Sequence, residues 1–309
     1  MQVVRQETLG GPEVLRVVDV PRPEPRPTEV LIRVKAAGVN PVDWKTRQRG
    51  VFLQPPFVLG WEISGVVAEL GLGTTLFQPG DEVFGLIRFP EEAGGYGEYV
   101  TAPARQLARK PAELSHEEAA GLPLAGLTAW QALIDVAELS EGQRVLVHGA
   151  GGGVGHLAVQ LAAARGAHVI GTARSVNHGF LRELGVVQPV DYTAPDWLDQ
   201  VGSVDVVVDP IGGDVALALV ERLRPGGILV SLRIEIPPEL AEAARRAGVR
   251  ATSVVVEPDR VGLLGLVDLV VAGALRPTVD QVFPLDQAGR AHTVGELGRT
   301  RGKLVLTVP

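Results

Sequence analysis

Through the first third of the chain, apolar and polar residues alternate with a period of two. Val30-Leu31-Ile32-Arg33-Val34-Lys35, Ile63–Leu70 and Glu82–Ile87 each read as a strand, and turn signals such as Pro79-Gly80-Asp81 separate them. Many short strands joined by Gly/Pro turns predict a barrel-like β domain. The pattern changes near Ser115-His116-Glu117-Glu118, where a serine followed by acids opens a helix. From Gln143 onward, Val/Ile/Leu runs at Arg144–Val147, Ala167–Thr172, Val186–Val190, Val204–Asp209, Ile228–Leu232 and Val249–Val256 alternate with helical stretches. Such runs are strands buried on both faces, which predicts a doubly wound α/β domain with a parallel sheet and helical crossovers. A last helix over Asp259–Ala272 precedes short strands at Val279–Phe283 and Lys303–Val308, which are expected to rejoin the β domain.

The strand Arg144–Val147 runs into glycines at 149, 151, 152, 153 and 155 and then into a helix expected over Gly155–Arg165. Glycines let backbone amides approach a pyrophosphate, and the helix dipole points at the same place. Strand, glycine turn and helix therefore predict a dinucleotide site built from Ala150, Gly151, Gly152, Gly153, Val154 and Gly155. The spacing fits Ala-x-Gly-x-x-Gly or Gly-x-x-Gly-x-x-Gly better than a strict Gly-x-Gly-x-x-Gly. About 20 residues later an NAD site wants a carboxylate, whereas an arginine suits a 2′-phosphate. The strand here ends Thr172-Ala173-Arg174-Ser175 with no acid, so NADPH is favoured over NADH.

With 46% hydrophobic and 21% charged residues, the 309-residue chain has room for two folded domains. A net charge of −7 argues against nucleic acid as a partner, which wants a basic face. No cysteine is present, which excludes disulfides and thiolate metal sites. The N-terminus lacks the apolar core of a signal peptide, and the longest apolar candidate, Val261 to Leu275, is interrupted by Asp268 and too short to span a bilayer; the expected location is the cytoplasm.

A set of ordered stretches resembles the medium-chain dehydrogenase/reductases, specifically their zinc-free quinone-reductase-like branch. They are Ala36 to Lys45 (AAGVNPVDWK), Leu59 to Val67 (LGWEISGVV), Phe77 to Val83 (FQPGDEV), Gly94 to Val100 (GGYGEYV), Leu124 to Ala129 (LAGLTA) and Arg301 to Leu306 (RGKLVL). The resemblance implies a GroES-like β-barrel catalytic domain at 1–120 and 273–309, a Rossmann domain at 121–272, and a cofactor in the cleft between them. Zinc-dependent relatives place a cysteine where Asn40 stands and a histidine where Trp61 stands, and neither replacement can ligate catalytic zinc. Histidines 116, 148, 156, 168, 178 and 292 show no ligand spacing, so no metal is expected.

Without a metal, hydride is expected to pass from NADPH to a quinone or an α,β-unsaturated carbonyl. The resemblance puts Asn40 beside nicotinamide and substrate as first choice for a hydrogen-bond donor, with Lys45 as a possible electrostatic stabiliser of the developing oxyanion. It also implies Thr128 at the nicotinamide end and Tyr192 at the 2′-phosphate end, where relatives keep a basic residue near 176–178 and this chain has Val, Asn and His. Ser231 and Asp209-Pro210-Ile211-Gly212 lie at carboxyl strand ends, where ligands bind in such sheets. Asp43 is expected to orient its loop; Tyr96 and Tyr99 read as packing more than as acids; Trp44 and Trp61 are candidates for an apolar substrate wall or for the core. Two other readings remain open: an enoyl-thioester reductase of the same fold, and a redox-inactive NADPH binder. Relatives dimerise through the sheet edge, so a homodimer through Val249–Val256 is expected.

Overall fold

The computed structural model describes all 309 residues and divides into two compact units. One comprises Met1–Leu127, Glu257–Val271 and Arg276–Pro309, and the other Thr128–Val256 with Ala272–Leu275.

The first unit carries strands β1 (Gln2–Gln6), β2 (Arg16–Asp19), β3 (Glu29–Val39), β4 (Phe57–Val58), β5 (Glu62–Leu70), β6 (Glu82–Leu86), β7 (Tyr99–Pro103) and β8 (Leu107–Arg109). Its helices are α1 (Pro41–Arg49) and α2 (His116–Ala120), while α3 (Pro123–Trp130) runs across the boundary into the second unit. Strands β1, β2 and β4 form a small antiparallel sheet. The longest strand, β3, is the spine of the larger one, pairing antiparallel with both β5 and β7. Val30, Leu31, Ile32, Val34, Ala36 and Ala37 on β3 are all wholly buried. Each such Val, Leu or Ile contributes about 1.5–3 kcal/mol by leaving water.

Helix α1 begins directly at the end of β3, because Asn40 is extended, Pro41 suits a first helical position, and the Asp43 carboxylate accepts the Asn40 backbone N–H at 2.7 Å. The helix stops at Gly50, whose φ of 63° is left-handed.

The second unit carries β9 (Arg144–Val147), α4 (Gly155–Ala164), β10 (His168–Ala173), α5 (His178–Glu183), β11 (Gln188–Asp191), α6 (Trp197–Val201), β12 (Val204–Asp209), α7 (Gly213–Val220), β13 (Leu223–Ser231), α8 (Pro238–Ala247) and β14 (Arg250–Ser253). The six strands are parallel in the order β11-β10-β9-β12-β13-β14. The order reverses between β9 and β12, the switch point at whose carboxyl edge such sheets bind ligands.

The chain then returns to the first unit with α9 (Arg260–Val271), β15 (Val279–Pro284), α10 (Ala288–Glu296) and β16 (Lys303–Thr307), and β16 pairs antiparallel with β3. Three sequence expectations differ from this. Helix α9, expected with the cofactor domain, clusters with the barrel unit: its buried face includes Leu266, against which a Cβ on Gly126 of α3 would lie at 2.8 Å. The strand expected over Val249–Val256 is only Arg250–Ser253, since its partner β13 ends at Ser231 opposite Ser253 and leaves nothing further to pair with. Helix α10 was not anticipated from its mixed, glycine-containing sequence, whose helix propensity is poor.

No helix is long and apolar enough to cross a membrane.

Candidate functional site

The candidate residues gather in two neighbourhoods, one in each unit. In the α/β unit the turn after β9 is shaped from beneath by Thr172 of β10. Its hydroxyl accepts the Gly149 N–H at 3.0 Å and its carbonyl accepts the Ala150 N–H at 2.9 Å. The Gly152 N–H closes onto Gly149 O at 3.0 Å. Gly149, Ala150 and Gly152 thus spend their amides inside the turn, while those of Gly151, Gly153 and Val154 have no acceptor in the protein. Gly155 lets α4 start against the turn: a Cβ there would overlap Gly149 O and sit 2.8 Å from Ala150 Cα. The outer side is open, since a Cβ on Gly151 would meet nothing nearer than Asn177 Nδ2 at 3.9 Å. Unsatisfied amides at a helix start with an open face above them fit a diphosphate.

At the next carboxyl strand end, exposed Arg174 donates from Nε to the Tyr192 hydroxyl at 3.2 Å. The pair brings a guanidinium and a phenol to one edge. Beside it Asp191 accepts the Ser175 N–H at 2.9 Å, and hydrogen bonds from Thr193 hold its carboxyl down to about 2. Ser231 is buried, and its hydroxyl accepts the Arg233 N–H at 3.3 Å. Asp209, also buried, accepts amides from Ile211 and Gly212 at 3.0 and 2.8 Å and so folds its loop. Thr128 is buried in α3. The His148 imidazole, whose pKa burial lowers, lies 5.6 Å from the Trp197 ring and 6.4 Å from that of Tyr192.

In the barrel unit Asn40 is the centre of a buried charged cluster. Its Nδ2 donates to Glu62 Oε1 at 2.7 Å, and its Oδ1 accepts from the Lys303 ammonium. Lys303 Nζ also donates to Glu62 Oε1 at 2.7 Å, while Glu62 Oε2 takes the Leu124 N–H at 2.7 Å. Lys303 and Glu62 are 2% and 0% exposed, so this ion pair has left water entirely. Gly38 makes room for it, because a Cβ there would overlap Glu62 Oε1.

A second layer lies behind. Burial pushes the Asp43 carboxyl up from the usual 3.8 to about 7; Glu62 adds to this, and the Asn40 N–H, Lys303 and Tyr96 act against it. Tyr96 is raised well above its usual value, mainly by burial, and its hydroxyl meets His292 Nε2 at 3.2 Å. His292 is pushed down to about 3 by burial and by Arg47, whose Nη1 reaches His292 Nδ1 at 3.2 Å. Buried Arg47 closes the row on Glu296 at 2.5 Å.

Trp61 is core: it is 1% exposed, its Nε1 donates to Glu91 O at 2.7 Å, and its ring packs edge-on against Phe89 with centroids 5.4 Å apart. Lys45 stands on the exposed side of α1. The ammonium bonded to Asn40 is that of Lys303, to which the sequence reading gave no role although it lies in one of the recognised stretches. Glu62 was missed in the same way. The signal available was a charged residue inside an apolar strand run at each position, but the pairing spans 241 residues and no local pattern predicts it.

No three His, Cys, Asp or Glu side chains converge in a way that could hold a metal ion. At position 40 the amide oxygen accepts from the Lys303 ammonium.

Comparison with known proteins fixes the family. Residues 26–112 match the alcohol dehydrogenase GroES-like domain, and residues 184–306 match the zinc-binding dehydrogenase family. The chain is 39% identical to the solved quinone oxidoreductase of Coxiella burnetii, with a TM-score of 0.94 over 100% of this chain and 99% of that one. It is 31% identical to the mitochondrial NAD(P)H oxidoreductase of Danio rerio, across 91% of this chain and 84% of the relative. A mycobacterial protein solved in complex with NADPH is 31% identical and superposes with a TM-score of 0.89, each chain covered in full. The chain belongs to the medium-chain dehydrogenase/reductase superfamily, in its quinone-oxidoreductase-like branch. These relatives support oxidoreductase activity with a nicotinamide cofactor.

Proposed function

We propose that the protein is a zinc-independent, NADPH-dependent reductase of quinones or α,β-unsaturated carbonyls. The observation that carries the zinc-free reading is the Lys303 ammonium on Asn40 Oδ1. A positive charge already satisfies the one oxygen donor at that position, and a metal cation brought there would meet repulsion in a low-dielectric interior. NADPH over NADH is supported by Arg174, whose Nη groups make no bond in the protein, and by Tyr192 beside it.

The amides of Gly151, Gly153 and Val154 bind the diphosphate, and Arg174 with Tyr192 takes the 2′-phosphate. Bound NADPH supplies a hydride. The second Nδ2 hydrogen of Asn40 has no acceptor in the protein and is offered to the substrate oxygen, where charge develops during reduction. Lys45, exposed on α1, is a second candidate to stabilise that charge. Substrates whose oxygen is conjugated to the accepting carbon need no stronger electrophile, and the balancing proton comes from solvent. The short edge strand β14 presents an unpaired ladder, which supports association of two copies there.

The test is loss of NADPH absorbance with a panel of quinones, alkenals and an enoyl thioester. Turnover of quinones or alkenals is expected. Turnover of the thioester alone moves the assignment to an enoyl-thioester reductase, and cofactor binding without any turnover sinks it.

A further inference from the structure

Asn40 has a property that its being a hydrogen-bond donor does not explain: its amide can face only one way. An ammonium has hydrogens and no acceptor, and a carboxylate has acceptors and no hydrogen. With Lys303 on one side of the amide and Glu62 on the other, the oxygen must turn to the lysine and the nitrogen to the glutamate. The reverse orientation would set an N–H against an ammonium and a carbonyl against a carboxylate, both fully buried. We infer that Lys303 and Glu62 are positioning residues, a buried ion pair that locks the Asn40 amide so that it presents an N–H, never its carbonyl, to the reacting oxygen. This rests on the proposed role of Asn40.

The surroundings fit that purpose better than a purely stabilising one. A buried ion pair is a poor source of stability, because desolvating both charges offsets their attraction, whereas fixing one arrangement of a polar group is a recognised use. Glu62 Oε2 takes the Leu124 N–H, and Asp43 Oδ2 takes the Asn40 backbone N–H. Leu124 thus holds the carboxylate of the pair from outside, and Asp43 holds the Asn40 backbone, while the pair holds the amide. Lys303 also polarises the amide through its oxygen, which strengthens the remaining N–H as a donor.

The experiment uses the full chain with both charges removed together, Lys303→Met with Glu62→Gln, so that no lone charge is left buried. The glutamine accepts or donates equally well, so the amide loses its single orientation. Turnover is followed with NADPH and 1,4-naphthoquinone, and cofactor binding by fluorescence. The double variant is expected to bind NADPH within about threefold of wild type while kcat falls about a hundred- to a thousandfold, the range of a lost oxyanion donor. Lys303→Arg should retain most of the rate.

Placed in an Asn40→Ala background, the same double change should cost less than about twofold more, since groups acting through one residue are not additive. Multiplying losses would overturn the inference and leave Asn40 a donor; no loss from Asn40→Ala itself would instead overturn the donor role. A readout independent of turnover decides the positioning. Asparagine occurs only at 40 and 177, so protein carrying 15N at asparagine gives two side-chain amide pairs, assigned with Asn177→Ser. The pair from Asn40 should shift or broaden in the double variant while that from Asn177 stays, and an unmoved Asn40 pair refutes the lock whatever the rates show.

Discussion

At the scale of single residues, chemistry here is decided by what each polar group already touches. Arg174 spends only its Nε, on Tyr192, and stands next to Asp191, a carboxylate held ionised far below neutrality. That negative charge disfavours a phosphate unless the guanidinium answers it. Arg174→Ala should therefore weaken NADPH by about tenfold or more, the worth of a charged hydrogen bond, and NADH by much less. Fluorescence titration with both nucleotides checks this, and equal losses refute the assignment. Asp43 sets a pH dependence. Its folded-state pKa, about 7, is raised above the ordinary 3.8, so the folded chain holds a proton that the unfolded chain has released. The contribution to stability is full below about pH 4 and is lost as pH rises toward 7. Asp43→Asn keeps an oxygen for the Asn40 N–H and cannot ionise. Its urea midpoint relative to wild type should rise between about pH 5 and pH 8; a constant difference would mean that Asp43 does not titrate in the fold.

At the scale of elements, the joint between β9 and α4 works because two backbones touch. Gly155→Ala would drive a Cβ into Gly149 O and against Ala150, neither of which is a side chain that can swing away. The expected cost is ~1–3 kcal/mol of stability, typical of overpacking, together with loss of NADPH affinity as the turn opens. Thermal unfolding and nucleotide titration on the same variant measure both. This joint was legible in the sequence because strand, glycines and helix are consecutive, and their order alone fixes the local geometry. Strand β14 was half legible: its apolar run extends to Val256, but a ladder ends where its partner ends, and β13 ends at Ser231. Helix α10 was not legible, since it is held by what it packs on and by Arg47, His292 and Glu296 instead of by its own propensity.

At the scale of the molecule, two expectations concern the protein as isolated. If the cation at Asn40 is Lys303 and no metal takes part, exhaustive chelation should leave the NADPH-dependent rate unchanged; a chelator-sensitive rate that zinc restores would end the zinc-free reading. If the exposed edge of β14 is covered by a second copy, sedimentation equilibrium should return twice the 32.6 kDa chain mass, and a monomer at micromolar concentration would remove that proposal.

The sequence by itself determined the class of fold, the glycine turn and the arginine after β10. All of these are readable from neighbours along the chain, through periodicity, spacing and residue type. Only the tertiary structure decided which way the Asn40 amide faces, that Trp61 is core, and that α9 packs with the barrel unit. Those depend on residues such as Lys303 and Glu62 brought together from opposite ends of the chain, where burial removes water and leaves each polar group only the partner that folding supplies.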